Sequence, residues 1–245
     1  MFFNKDIDLH FYTNLDYVHK FAPVKTGNDT KPTWFNRIRP RKVLDFTAMS
    51  KKTLKSCPGI QEYHKRAIQI PLWSDLALEI GPKGSDVYKW TYSDCTSGIR
   101  VHPPEIINNY RSAEDFQHLL FQVPWAGIST ESIDFLVCQP LWHSFNFPTI
   151  SITQGILNFK DQRTCNAQAF TTRTNKTQSI LIPHGTPLLE LLPLTEKRVK
   201  VHNHFVDDLE FQKIMSINPY TKFTGGHYYN RAIAKKCPIK SDTSA

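Results

Sequence analysis

Short apolar runs, interrupted at close intervals by turn residues, are the feature of this sequence that most restricts its fold. They fill residues 119–194, where apolar and polar residues alternate. The alternating apolar positions are Ile133, Phe135, Val137, Ile150, Ile152, Ile180 and Ile182. The interrupting residues are Pro140, Pro148, Gly155, Asn166, Pro183, Gly185 and Pro193. Because alternation with a period of two is typical of half-buried strands, this pattern predicts a mainly β sandwich or closed barrel of short strands.

The remaining segments suggest a single domain with an arm. The chain has 245 residues, which fits one large all-β domain. We expect residues 1–56 to form an extended N-terminal arm with a basic segment packed on the body, anchored by Trp34 and Phe35. Residues 57–232 are expected to form one β-rich domain with a short C-terminal helix, and residues 233–245 a flexible tail.

Three segments have the features of short helices. Residues 60–67 follow the break at Cys57-Pro58-Gly59 and are long enough for about two turns. Residues 206–215 carry acids in their first turn, which favours the start of a helix. Between residues 104 and 121, apolar residues recur at mixed helical spacing after a stretch suited to a helix start.

The positive charge of the chain is concentrated in one segment. The sequence has 30 Lys+Arg against 22 Asp+Glu, a net charge of +8. Seven basic residues, opposed only by Asp45, give residues 37–55 a net charge of +6. These are Arg37, Arg39, Arg41, Lys42, Lys51, Lys52 and Lys55. They suit a polyanion such as nucleic acid, but the segment lacks interleaved aromatic residues and an evident recognition helix, so a solvated surface arm is the alternative.

Several kinds of chemistry lack their sequence signatures. The chain contains no nucleophile elbow, Walker motif or dinucleotide-binding glycine motif, and its five cysteines form no zinc-finger spacing. We therefore expect no cofactor. No apolar run is long enough for a bilayer, and the N-terminus lacks a secretory signal, so we expect no membrane partner and a cytoplasmic location.

Histidines provide one candidate metal site. His202 and His204 are two residues apart, so a strand would place both rings on one face. A mononuclear site needs a third ligand, for which Asp207, Asp208 or Glu210 lie nearby in sequence. These acids also fit the first turn of a helix, and both interpretations remain open.

Several aromatic and polar residues at the ends of apolar runs are candidates for a ligand pocket. The candidates are Trp73 with Asp75, Trp125 after Pro124, Trp142 with His143, and His102 before Pro103. An aromatic wall beside a carboxylate or imidazole could bind a small molecule. The alternative is a structural role, with the tryptophans in the core, Asp75 in a turn or cap, and His102 at the end of a strand.

A pair of glycine-containing segments resembles the core of the trimeric dUTPase and dCTP deaminase superfamily. Residues 155–159 (Gly-Ile-Leu-Asn-Phe) and 182–192 (Ile-Pro-His-Gly-Thr-Pro-Leu-Leu-Glu-Leu-Leu) form a hairpin-like unit in this interpretation. The resemblance implies a β-clip or jelly-roll body, a homotrimer and a nucleotide ligand near Asn158 and Asp161. Asn158 replaces the family's aspartate general base, and Glu190 and Pro187 also depart from the second motif, so the hydrolase activity is expected to be lost.

A broader resemblance covers most of the chain. Pro32-Thr-Trp34, Lys55-Ser-Cys-Pro-Gly-Ile60, Ile70-Pro-Leu-Trp-Ser-Asp75, Pro124-Trp125 and residues 185–188 and 192–197 occur in that order. Together they resemble an uncharacterised family of large marine tailed phages, cyanophages especially, and a bacterial domain family of unknown function. This implies a protein made in the host cytoplasm that either joins the virion or acts during assembly.

Three classes of function therefore stay open. The first is a non-enzymatic protein of the virion or its assembly, with other virion proteins as partners, or a small-ligand binder. The second is an enzyme, either a nucleotide-processing β-clip enzyme or a metal oxygenase. The third is an accessory protein that binds nucleic acid through the basic segment.

Overall fold

The computed structural model describes residues 6–43, 50–85, 88–92, 99–101, 115–146 and 150–216, and these form a mainly β protein with a few short helices. The predicted fold class is thereby confirmed. His102 and the predicted helical residues before Asp115 lie outside the described residues.

Strands account for most of the regular structure. In chain order, the described strands are β1 (Ile7–Thr13), β2 (Lys25–Thr26), β3 (Arg41–Val43), β4 (Ser50–Lys52), β5 (Ile68–Pro71), β6 (Leu76–Ile80), β7 (Tyr88–Tyr92), β8 (Ile99–Val101), β9 (Phe116–Phe121), β10 (Ala126–Ser129), β11 (Phe135–Cys138), β12 (Ile150–Ile152), β13 (Gly155–Leu157), β14 (Ala167–Thr172), β15 (Gln178–Ile182), β16 (Pro187–Pro193) and β17 (Val199–Phe205). Hydrogen bonds join them into sheets with the orders β10-β1-β17, β13-β11-β16-β5-β2, β12-β14-β9-β8, β15-β6-β7 and β3-β4.

The helices are short, and along the chain they lie between strands or follow the last one. The α-helices of the described residues are α1 (Asp16–Phe21), α2 (Thr33–Arg37), α3 (Pro58–Arg66) and α4 (Asp208–Met215). Short 3-10 helices span Gly27–Thr30, Leu54–Ser56 and Leu141–Asn146. The predictions of helices near residues 60–67 and 206–215 are confirmed, and Asp207 caps α4 by accepting a hydrogen bond from the backbone N–H of Glu210 (2.8 Å).

The first strand lies in the middle of a sheet. β1 runs antiparallel to β10 and parallel to β17, with pairs from Ile7 opposite Val199 to Thr13 opposite Phe205. Its odd-numbered residues are buried and its even-numbered ones half-buried, as expected for a strand with one face on the core. Residues 7–13, predicted as part of an arm, are thus an integral strand of the body.

The predicted helix up to residue 121 is wrong at its C-terminal end. Phe116–Phe121 forms β9, which lies between β8 and β14 in the four-stranded sheet. Five of its six residues are buried, and these include the polar Gln117 and His118 as well as Leu119, Leu120 and Phe121. A strand buried on both faces loses the alternation that identifies it in a sequence.

The hairpin-like unit expected from the dUTPase resemblance is also absent. β13 and β16 do not pair with each other, because β11 lies between them and pairs antiparallel with both. The two glycine-containing segments therefore share a sheet without being neighbours.

The five-stranded sheet carries the residues that support the candidate site. Glu190 of β16 lies opposite Gln69 of β5 on one side and opposite Cys138 of β11 on the other. Directly opposed residues of antiparallel strands project to the same face. Tyr63 of α3 donates a hydrogen bond to Glu190, so this face of the sheet is covered by α3.

Aromatic rings pack closely in the core, against the buried face of β1. Phe159 makes edge-to-face contacts with Phe11 (centroids 5.4 Å apart) and with Phe135 (5.3 Å). The same ring lies against Gly127 of β10, where an added Cβ would lie 2.3 Å from two of its carbon atoms. Only a residue without a side chain fits at this position.

We predict that Gly127→Ala lowers the free energy of unfolding by about 1–3 kcal/mol, because the fully buried Phe159 ring must move to admit the methyl group. Urea denaturation followed by fluorescence measures the loss. Gly155→Ala is the matched control in another strand, since nothing lies within 4 Å of its added Cβ. Equal stability of the two variants would contradict the packing argument.

Candidate nucleic-acid interface

The basic segment forms a two-stranded antiparallel hairpin, β3 and β4, which we call the basic hairpin. Its register pairs Arg41 with Lys52, Lys42 with Lys51, and Val43 with Ser50. In two of these pairs both residues are basic. Arg41 and Lys52 are exposed, and like charges directly opposite each other destabilise a sheet, so this pair costs stability unless an anion compensates it.

Hydrogen bonds hold the base of the basic hairpin in place. The carbonyl oxygen of Pro40 accepts bonds from the backbone N–H of Thr53 (3.1 Å) and from the hydroxyl of Ser56, and the hydroxyl of Thr53 donates to the carbonyl oxygen of Arg39 (2.6 Å). Lys55 donates from Nζ to the carbonyl oxygen of Asn36 in α2 (3.0 Å). The hairpin and the end of α2 thus form one connected unit.

The cations of this unit face solvent. Arg37, Arg39, Arg41 and Lys52 are exposed, and Lys55 is half-buried. Within the described ranges, none of these five forms an ion pair with a carboxylate. Asp45, the acid of this segment, lies outside the described residues. The exposed positive charges are therefore available to a polyanion.

Two tryptophans lie next to this basic unit. Trp34, in α2, precedes Arg37 by three residues, a spacing that places both on one side of the helix. Trp142 comes from the 3-10 helix Leu141–Asn146, and its backbone oxygen accepts a hydrogen bond from Trp34 Nε1 (3.1 Å). The ring centroids are 6.1 Å apart with an angle of 39° between the rings, and both residues are half-buried. The aromatic residues missing from the basic segment are thus supplied by the fold.

A buried polar network lies beneath the tryptophans. Glu190 is fully buried, and its carboxylate accepts hydrogen bonds from the hydroxyl of Tyr63 and from Nε2 of Gln69 (2.5 Å). Gln69 Nε2 also donates to the carbonyl oxygen of Thr30 (3.0 Å). Helix α3, strands β5 and β16 and the segment ending at Thr30 are joined through these three side chains.

His143 connects Trp142 to this network. Its Nε2 lies 3.0 Å from the Thr30 carbonyl oxygen and 3.0 Å from Gln69 Nε2. The two N–H groups of the Gln69 amide are already used by Thr30 and Glu190, so His143 Nε2 carries the hydrogen and donates to Thr30. The turn that carries Trp142 is thereby fixed to the sheet.

Burial controls the protonation of the network. It raises the pKa of the Glu190 carboxyl, an effect that the hydrogen bonds from Tyr63 and Gln69 oppose. It raises the pKa of Cys138 to about 11, assisted by the neighbouring Glu190. Burial also lowers the pKa of His64 to about 4, so this imidazole is neutral at pH 7. Within the described part of the chain, neither ring nitrogen of His64 has a hydrogen-bond partner.

The other residues predicted for a ligand pocket do not gather here. Trp73 and Trp125 are each 1% exposed and belong to the hydrophobic core, so they form no aromatic wall. Asp75 accepts a hydrogen bond from the backbone N–H of His184 (2.7 Å), 109 residues further along the chain. Asn158 donates to Asp134 (2.9 Å) and closes a turn with the backbone N–H groups of residues 160 and 161. Asp161 stands in that turn, and of the described pocket candidates Trp142 and His143 lie beside the basic unit.

The candidate metal residues His202 and His204 lie on the half-buried face of the β10-β1-β17 sheet. His202 Nε2 lies 2.9 Å from Asp8 Oδ1, and this hydrogen bond lowers the pKa of Asp8. His204 Nε2 lies 3.0 Å from Nδ1 of His10, and burial together with the neighbouring histidines lowers the pKa of His204.

The acids considered as a third metal ligand are engaged elsewhere. Asp207 caps α4, and Asp208 accepts a hydrogen bond from Asn14 Nδ2 (2.7 Å). Among the residues that the structure describes, no three His, Cys, Asp or Glu side chains are placed to hold one metal ion. Metal binding at His202 and His204 stays a prediction.

Comparison of the chain with models of known protein families and with curated proteins finds no match. The resemblances to a phage family and to the dUTPase superfamily therefore stay predictions from the sequence. None of the helices in the described ranges is long and apolar enough to span a membrane.

Sequence reasoning identified the basic residues but missed the tryptophan pair. Trp34 was predicted as an anchor of the arm, and its neighbour Phe35 is indeed buried at 1% exposure. The spacing of Trp34 and Arg37 was the available local signal. Nothing local could pair Trp34 with Trp142, since 108 residues separate them.

We predict that the difference in unfolding free energy between the unaltered protein and Glu190→Gln depends on pH. As the pH rises above 4.5, the ordinary pKa of a glutamate side chain, the unaltered protein should lose stability relative to the variant. The folded state holds the Glu190 proton more tightly than the unfolded state does. Over the interval between the two pKa values the unfolded state has fewer protons, so rising pH favours unfolding. Urea denaturation of both proteins between about pH 4 and about pH 8 measures this difference.

Glu62→Gln is the control for this measurement. Glu62 is exposed on α3, and its Oε2 lies 3.6 Å from Lys65 Nζ at the surface. Its replacement removes a surface carboxyl from the helix that carries Tyr63, without entering the network. A stability difference between wild type and Glu190→Gln that does not change with pH would contradict the assigned protonation.

Proposed function

We propose that this protein is a non-enzymatic protein that binds nucleic acid through the basic hairpin and the end of α2. The observation that carries the proposal is the pairing of Arg41 with Lys52 and of Lys42 with Lys51, in a unit whose described cations lack acidic partners. A phosphate backbone would neutralise these charges and release counterions, which is the main source of sequence-independent affinity.

The fixed base of the hairpin supports this role. Two bonds to the Pro40 carbonyl oxygen, one to the Arg39 carbonyl oxygen and the bond from Lys55 to Asn36 hold the backbone at Arg39 and Arg41 before any partner arrives. Less conformational entropy is then lost on binding than with a free basic tail. Binding without sequence preference is expected, because contacts to phosphates position a protein and carry no sequence information.

The biological setting is a separate part of the proposal and rests on sequence resemblance alone. We propose a phage protein, made in the host cytoplasm, that acts in virion assembly or is carried in the virion. Mass spectrometry of purified virions tests the second role directly. Its presence in stoichiometric amounts would support a virion component, and its absence would restrict the protein to the infected cell.

We predict that the affinity for a labelled oligonucleotide falls about 100-fold between about 50 and about 200 mM salt, if five cations each contact one phosphate of a single strand. The variant Arg39→Ala/Arg41→Ala/Lys52→Ala removes three of these contacts. Its plot of log affinity against log salt should be shallower by about 2, since each contact contributes about 0.7 to the slope. Fluorescence anisotropy across a salt series measures both values.

The matched control is Lys160→Ala/Lys176→Ala/Lys213→Ala, which loses the same charge from exposed lysines on other elements. It should bind with nearly the slope of the unaltered protein. If both triple variants reduce the slope equally, net charge and not the basic hairpin drives binding. If the unaltered protein does not bind at low salt, the proposed function is wrong.

A further inference from the structure

We infer that the nucleic acid bound at this surface is single-stranded and that Trp34 and Trp142 stack on its unpaired bases. This inference rests on the proposed function and deepens it. The basic hairpin by itself explains attraction to any polyanion. The tryptophans beside it add a contact that only an accessible base can satisfy.

The hydrogen bonding of Trp34 leaves its ring available for stacking. The single polar atom of the indole, Nε1, is satisfied by the Trp142 carbonyl oxygen at 3.1 Å. The part of this half-buried side chain that meets solvent is therefore mainly apolar ring surface. Covering such a surface with the face of a base is favourable whichever base is present, since every base has a π-face.

The geometry of the pair determines where a base can lie. A base inserted between two rings needs a separation of about 7 Å, two contact distances of about 3.5 Å each. The centroids of Trp34 and Trp142 are 6.1 Å apart and the rings are tilted by 39°, so the space between them is already closed. The Trp142 ring also packs on the buried His64 (6.0 Å), so bases must stack on the part of the pair that meets solvent.

The ring positions are set before binding. Trp34 makes an edge-to-face contact with the buried Phe35 (5.8 Å, 79°), and Phe35 in turn packs on His64 (5.0 Å). On the other side, the bond from His143 to Thr30 fixes the turn that carries Trp142. Rigid aromatic side chains lose little entropy when a ligand stacks on them.

The neighbouring cations complete the platform. Arg37 lies one helical turn after Trp34, and Lys55 contacts the backbone at Asn36 between them. A strand whose bases stack on the tryptophans can therefore place its phosphates near these cations. In a duplex the bases stack on one another and are paired, so they offer no free face to the tryptophans.

The test compares a single-stranded oligodeoxythymidine with a duplex of the same length by fluorescence anisotropy. Tighter binding of the single strand is expected, with quenching of tryptophan fluorescence. Trp34→Leu and Trp142→Leu should each weaken single-strand binding by about 10- to 100-fold. Both should leave the salt dependence unchanged, because no phosphate contact is removed. Trp34→Tyr, which keeps an aromatic ring, should recover most of the affinity.

Trp90→Leu is the matched control, since Trp90 is an exposed tryptophan (37%) in β7, away from the basic segment in sequence. It should not change the affinity.

Thermal unfolding of every variant separates a lost contact from a lost fold, and Trp34→Tyr provides a conservative replacement if a leucine variant is unstable. Equal binding of single strand and duplex, with leucine variants as tight as the unaltered protein, overturns this inference and leaves the proposed function intact. Absence of binding to either ligand overturns the proposed function itself.

Discussion

The position of α3 on the five-stranded sheet depends on one buried carboxyl group, that of Glu190. Placing a carboxyl in the interior is costly unless its oxygen atoms are hydrogen-bonded. Here one oxygen accepts a hydrogen bond from Tyr63 of α3 and the other accepts one from Gln69 of β5. Gln69 also donates to the carbonyl oxygen of Thr30. These bonds hold α3 and the segment ending at Thr30 against the five-stranded sheet. Without them, the turn carrying Trp142 would lose its support and the candidate interface its geometry.

The parts of the fold that local signals specify could be predicted from the sequence. Cys57-Pro58-Gly59 marks the start of α3, the acids of residues 207–210 mark the start of α4, and the alternation around Phe135 marks β11. Each of these depends on residues close together in the chain. β9 could not be identified in this way, because five of its six residues are buried and no polar face remains to show the period of two.

The candidate site divides in the same manner. The charge of residues 37–55 is visible in the sequence, whereas the pairing of Trp34 with Trp142 arises only when distant segments fold together. Trp73 and Trp125, which reached the core, lie between strands as Trp142 does. What distinguishes Trp142 is its contact with Trp34 and its half-buried side chain, and both are properties of the tertiary structure.

The like charges of the basic hairpin lower the stability of the protein at the site of its proposed function. Opposing Arg41 and Lys52 weakens the hairpin in isolation, so the folded protein keeps an unfavourable local arrangement at its surface. Positive charges on a two-stranded ribbon also discourage other strands from adding to its edges. A polyanion that bound here, as proposed, would remove part of this repulsion and would thereby stabilise the folded protein.

The parallel pairing of β1 with β17 has a consequence for the synthesis of the chain. β1 is made before its partner, the strand from Val199 to Phe205, which follows nearly two hundred residues later in the chain. Contacts so distant in sequence form slowly, because the entropy of closing a long loop is lost before the contacts contribute any stabilising free energy. Until then β1 presents an open edge to its surroundings. The interval of translation is therefore when this protein is most exposed to mispairing with other chains.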